Sequence, residues 1–137
     1  MFEWEQFLEI SLCLKNIGES NKTLSEAAYR CAISRAYYGA YHSALSLAQN
    51  LGYVMAPPKR GDMSEHKKLQ VWYKKKFANK SLGMKISKQL YQLHSWRKEA
   101  DYRDIDAKTM DIKACCDCAI NESRLLIQKI HECHNRN

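Results

Sequence analysis

Residues 26–45 read Glu-Ala-Ala-Tyr-Arg-Cys-Ala-Ile-Ser-Arg-Ala-Tyr-Tyr-Gly-Ala-Tyr-His-Ser-Ala-Leu. On a 3.6-residue period, this stretch and its flanks carry two stripes rather than one. Ile33, Tyr37, Ala40, Ala44, Leu47 and Leu51 form an apolar seam, and Ala28, Cys31, Arg35, Tyr38, His42 and Gln49 form a second seam rotated from the first. A helix with both seams occupied has neighbours on more than one side, which places it centrally in a bundle. Thr23 or Ser25 offers an N-cap and Gly52 a C-terminal signal, so the helix is predicted over roughly 24–50. Gly39 sits in its middle, where glycine costs about 1 kcal/mol relative to alanine. Its presence points to close approach by another helix or a ligand.

Working outward, the same periodicity predicts four more helices. The first covers roughly 3–17, with Trp4, Phe7, Leu8, Leu12 and Ile17 in amphipathic spacing and Gly18 as a stop. Pro57, Pro58 and Gly61 make residues 52–63 a loop. A third helix spans roughly 64–77, capped by Ser64, with Leu69, Trp72, Tyr73 and Phe77 inward and its lysines outward. A fourth runs roughly 81–103 with Leu82, Ile86, Leu90, Leu93 and Trp96 or Arg97 on its buried side. A fifth covers roughly 107–133, capped by Asp104 or Asp106, with Ile112, Cys115, Cys116, Ala119, Ile120, Leu126, Ile127 and Ile130 as its stripe. Five glycines and two prolines in 137 residues disfavour a turn-rich β sandwich. The expectation is one all-α domain over 1–137, a bundle of four to five helices with antiparallel neighbours.

No apolar run approaches the roughly 18 residues of a membrane span. The acidic start, Met1-Phe2-Glu3-Trp4-Glu5, is unlike a signal peptide. A cytoplasmic location is therefore expected, with no membrane association and all six cysteines as reduced thiols. Cys115, Cys116 and Cys118, with His131 and His134 downstream, share one helical pattern. A straight helix cannot wrap such ligands around a tetrahedral zinc, so no metal and no cofactor is expected.

The charge is more informative. The chain carries a net +7, but residues 59–88 hold ten Lys/Arg against Asp62 and Glu65, a net of +8, while the rest balances at −1. A localised positive field favours a polyanion, either nucleic acid or an acidic protein. Lys67, Lys68, Lys74, Lys75 and Lys76 are the expected phosphate contacts.

Several polar groups stand out from the helical faces. Arg35 and His42, seven residues apart, point the same way about 10 Å apart along the axis, with Tyr38 and Gly39 between them. His94, Arg97 and Asp101 share a face of the fourth helix, and Tyr102 follows. If the second and fourth helices pack, Arg35 can pair with Asp101, leaving His42, His94 and Arg97 nearby. Those residue types suit a metal-free ribonuclease. A histidine poised near neutrality moves the 2′-hydroxyl or leaving-group proton, and an arginine stabilises the charge developing on phosphorus. The competing structural reading makes the same set a helix-register lock. Tyr37, Tyr38 and Tyr41, like Trp4, Trp72 and Trp96, are expected to fill core.

Two segments resemble the HEPN-domain family. Residues 26–45 are similar to its second helix, where one branch reads SRAYYxxxHxA, and residues 97–104, Arg-Lys-Glu-Ala-Asp-Tyr-Arg-Asp, resemble that branch's RxxADY segment. Ser64-Glu65-His66-Lys67 is similar to its SHK-like helix start. The resemblance spans roughly 20–130. It implies a HEPN-like helical bundle, commonly a homodimer, that binds RNA. In many members it implies a metal-independent endoribonuclease of a toxin–antitoxin or phage-defence system, often beside a nucleotidyltransferase partner. Catalytic members carry an R-x4–6-H motif before the last helix. Counted from Arg97, the histidine position here is Tyr102, and tyrosine as a residue type is a poor base near pH 7. His94 lies one turn earlier on the same face, and Arg35 to His42 reads R-x6-H on the earlier helix. The expected site is therefore Arg97, His94, His42, Arg35, Tyr102 and Asp101. The alternative is a non-catalytic protein-interaction module with a degenerate motif.

Overall fold

A computed structural model describes residues 2–57, 59–103 and 111–136. It contains helices α1 (Gln6–Ser20), α2 (Ser25–Asn50), α3 (Glu65–Lys75), α4 (Lys80–Tyr102) and α5 (Ile112–Arg136), with no strand among the described residues. The chain is an all-α bundle of five helices with antiparallel neighbours.

Helix α2 is the axis. It touches all four others, while α1 meets α5, α5 meets α4 and α4 meets α3. The outer helices thus form a ring around α2 that stays open between α1 and α3. The local reason lies in the alanines. Ala32, Ala36, Ala40, Ala44 and Ala48 recur every fourth residue and are fully buried. Four residues advance 400°, so the small-residue stripe drifts about 40° per step and presents itself to successive neighbours. Three of the four neighbours use the closeness to hydrogen-bond the α2 backbone. The Ser11 hydroxyl of α1 donates to the Ala32 carbonyl at 2.6 Å, Ser123 of α5 to Ala36 at 2.8 Å, and Tyr73 of α3 to Ala44 at 2.5 Å. A helical carbonyl has a second lone pair for such a bond. These contacts let buried hydroxyls sit in an otherwise apolar core without a desolvation penalty.

The core is built from the expected faces: Ile33, Tyr37 and Leu47 of α2, Leu69, Tyr73 and Phe77 of the α3 region, Ile86, Leu90 and Leu93 of α4, and Cys116, Leu126 and Ile130 of α5. Trp72 and Trp96 pack half-buried against it. Trp4 does not join it. It stacks instead on His42, with centroids 3.8 Å apart.

Several boundaries differ from the periodicity reading. Gly18 does not end α1, which continues to Ser20. A side chain there would lie 2.7 Å from the Tyr29 ring, so this glycine lets α2 pack closely. Neither Thr23 nor Ser25 caps α2. Its N-cap position is Leu24, without a side-chain bond, and the Ser25 hydroxyl instead donates to the Gly18 carbonyl at 2.5 Å. Gly52 does close α2, at φ 103°, with the Tyr53 amide reaching back to Ala48 and the Gly52 amide to Gln49. That pattern satisfies the terminal carbonyls. Ser64 caps α3 as expected, accepting from the Lys67 amide. Asp104 and Asp106 lie outside the described residues. The first turn of α5 is capped by Asp111, whose carboxylate accepts from the Ala114 amide at 3.1 Å. No described helix is long and apolar enough to cross a membrane.

Candidate functional site

The open seam of the ring lies over Arg35, Tyr38 and His42, all half-buried on α2. Gly39 between them receives the N-terminal turn: its missing Cβ would sit 3.4 Å from the Trp4 carbonyl and 3.5 Å from the Leu8 amide. The close neighbour expected from this glycine is therefore the start of α1. It brings Trp4 onto His42 and Phe7 under the Arg35 guanidinium, 5.1 Å from the ring centre.

From the other side, α4 packs along α2 and delivers a locked arginine. The Asp101 carboxylate accepts from Arg97 Nε at 3.0 Å and from the Ser34 hydroxyl of α2 at 3.2 Å. The Arg97 guanidinium also donates to the Tyr102 hydroxyl at 3.3 Å, and lies over the Tyr38 and Tyr102 rings at 5.2 and 5.4 Å. Arg97 is thereby an almost buried cation with an anion and two π faces as partners, which is how a buried charge is tolerated. The pairing expected between Arg35 and Asp101 is not made. Arg97 reaches Asp101 along its own helix, four residues on. Arg35 lies between the Phe7 and Tyr38 rings instead.

The third contributor is His66, in the first turn of α3, which the sequence reading quoted in a motif but did not place in the site. Its Nδ1 is hydrogen-bonded to the Tyr37 hydroxyl. Its ring stacks on His94 at 4.5 Å and an interplanar angle of 14°. Tyr41 bridges the pair to the rest, 4.8 Å from His66 and 5.1 Å from His42. All six expected site residues are thus joined around Tyr37, Tyr38 and Tyr41, with His66 added. Tyr37 and Tyr41 are core-buried as expected, whereas Tyr38 stays half-exposed between the two arginines.

Electrostatics follow from the crowding. Burial lowers His42 below the usual histidine value. Burial also lowers His66, and then Arg97 and His42 disfavour its charged form. His94 is pushed down to about 4, by burial first and then by His66, Lys98 and Arg97. Burial raises the Tyr41 phenol to about 12 and the Tyr37 phenol further. At neutral pH the crevice therefore holds neutral imidazoles and neutral phenols around the Arg97–Asp101 pair. This departs from the expectation of a histidine poised near 7. Such imidazoles accept a proton but are weaker bases than a group matched to the medium.

The lysines divide. Lys68 is paired with Asp62 at 3.6 Å and Glu65 at 3.3 Å. Lys75 and Lys76 are exposed at the end of α3. Lys67 and Lys74 line a cleft of about 490 Å³ between α3 and α4, together with Lys88 and Tyr91 of α4. A second cleft of about 420 Å³, at the N-terminal turn and the end of α5, carries Glu3, Glu5 and His131. Only the first has the sign to receive a polyanion. In α5, Cys115 and Cys116 face the core, and burial raises their thiols to about 12 and 11, while Cys118 is exposed. No group of ligating side chains suited to a metal occurs among the described residues.

Arg30 was not legible as a supporting residue either. From α2 its guanidinium donates to the Ala100 and Arg103 carbonyls at 2.8 Å, closing the end of α4 beside the site. An exposed i, i+4 pair with Glu26 is the only sequence signal it gave. No family model, no curated protein and no solved structure matches the chain.

Proposed function

We propose that this chain is a HEPN-like RNA-binding protein acting as a homodimer. The observation that carries the reading is the gathering of Arg97, His42, His66 and His94 in one crevice next to the lysine-bearing face of α3. Cations and neutral hydrogen-bonding rings on a half-open surface suit a phosphodiester with splayed bases. The two motif segments agree with it, since both fall on walls of this crevice: residues 34–42 on α2 and 97–102 on α4.

One specific observation favours a second reading, metal-independent cleavage of the bound RNA. The imidazoles are unprotonated at neutral pH, so one can remove the 2′-hydroxyl proton as the 2′-oxygen bonds to phosphorus. The bond from phosphorus to the 5′-oxygen then breaks, and that oxygen takes a proton from solvent. The products are a 2′,3′-cyclic phosphate end and a 5′-hydroxyl end. The lowered His94 value makes this chemistry slow.

Both readings are tested by incubating the purified protein with total RNA and tRNA in EDTA, across pH 6–8 and about 50–200 mM salt. RNA binding predicts retention that weakens steeply with salt, as phosphate neutralisation requires. Retention with intact RNA removes the cleavage reading. Absent or salt-insensitive retention removes RNA binding and leaves a protein-interaction module, whose lysines would meet an acidic protein surface.

A further inference from the structure

Two seven-residue faces look at each other across the cleft between α3 and α4. On α3, Lys67 and Lys74 are two turns apart with Gln70 between them. On α4, Met84, Lys88 and Tyr91 fall at i, i+4 and i+7, so they share one side. None of the cleft's lining residues is acidic. Tyr91 is 63% exposed and Met84 44% exposed, although both sit on a helix whose other side fills the core. A large ring held out in water between lysines is a ready stacking platform.

The cleft also leads somewhere. At one end α3 and α4 are drawn together where Gly83 lies under the Tyr73 carbonyl. At the other, the next inward turns carry His66, one position before Lys67, and His94, three after Tyr91, and these two rings stack. The Lys67–Tyr91 end of the furrow thus lies beside the stacked histidines.

We propose that the furrow between α3 and α4 is a track for single-stranded RNA, with a base stacked on Tyr91 and phosphates held by Lys67, Lys74 and Lys88. The strand runs from the Lys74–Met84 end to the stacked histidines. This rests on the RNA-binding reading above and adds the form of the nucleic acid and the residues that grip it. Only an unpaired strand can offer a free base face to Tyr91, and a duplex is too wide to enter between two packed helices.

The test is fluorescence anisotropy with a labelled RNA decamer of mixed sequence, alone and annealed to its complement. It uses wild type, Tyr91→Ala, Tyr91→Phe and Lys88→Gln. All three substitutions are at exposed positions, and circular dichroism confirms folding. The track predicts that the single strand binds better than the duplex. Tyr91→Ala weakens it about fivefold or more while Tyr91→Phe does not, because stacking needs the ring and not the hydroxyl. Lys88→Gln reduces the slope of log affinity against log salt by about 0.7, the value for one phosphate on a single strand. Binding by wild type that is equal for duplex and single strand, or unchanged in Tyr91→Ala, overturns the track and leaves RNA binding in place. If wild type binds neither form, the track and the RNA-binding reading both fail.

Discussion

Asp101 joins two helices through two hydrogen bonds, one from Arg97 on its own helix and one from Ser34 on α2. Removing it strands a guanidinium whose side chain is only 11% exposed. Asp101→Ala is expected to cost about 2 kcal/mol in denaturant unfolding, since bonds to charged groups are the expensive ones to lose. Asp101→Asn, which keeps a partner for Ser34, should cost less. The histidines make a separate statement about pH. The folded value of His94, about 4, lies below the ordinary histidine value of about 6.5, so between these pH values the unfolded chain binds the extra proton. The stability contributed by the neutral imidazole is fully present above about pH 6.5 and is lost as pH falls through 4. His42 and His66 are lowered too and act in the same direction. Melting temperatures from pH 7.5 to 4 should therefore fall less steeply in His94→Gln than in wild type. Parallel curves would show that His94 titrates normally.

Among the elements, the glycines separate close packing from mere tolerance. At Gly83 a Cβ would stand 2.3 Å from the Tyr73 carbonyl, a backbone atom that cannot turn aside. Gly83→Ala should force α3 from α4 and cost about 3 kcal/mol or more, as overpacking does. At Gly39 the nearest atom is at 3.4 Å, an ordinary contact. Gly39→Ala should be neutral, or stabilising by up to about 1 kcal/mol through helix propensity. A thermal-shift comparison of the two variants checks the pair. Arg30→Ala should leave the bundle folded but speed amide exchange at residues 97–103, because it uncovers the carbonyls that end α4. Much at this scale could be read from the chain. The five helices, the central position of α2 and the inward faces of α3, α4 and α5 follow from periodicity, because core burial and helical repeat express the same pattern. The role of Gly18 did not follow, since a glycine near a helix end looks alike whether it stops the helix or admits the Tyr29 ring. The alanine repeat of α2 was written in the sequence, but which neighbour each alanine would meet depends on the order of the outer ring.

In the whole molecule, the proposed site depends on α2, α3 and α4 meeting beside the opening between α1 and α3. The face shared by His94, Arg97 and Asp101 was readable from spacing, as was the second seam of α2. His66 was not, because its place depends on how the loop before α3 returns the chain to α4, and a single polar residue in a helix's first turn carries no periodic signal. The partition of the lysines was equally out of reach: the pair of Lys68 with Asp62 forms only once the loop closes on α3, beside the i, i+3 pair with Glu65. The resulting crevice makes a definite electrostatic prediction. Three imidazoles held down by burial, His66 and His94 also by Arg97, should become easier to protonate when a polyanion enters, because an opposite charge favours the imidazolium. The decisive measurement is an NMR titration of the histidine side chains, free and with single-stranded RNA. In the free protein His66 should ionise below the ordinary histidine value and His94 near 4, and saturating RNA should move both upward. Histidines that titrate at ordinary values and ignore RNA would contradict the crevice and the function drawn from it.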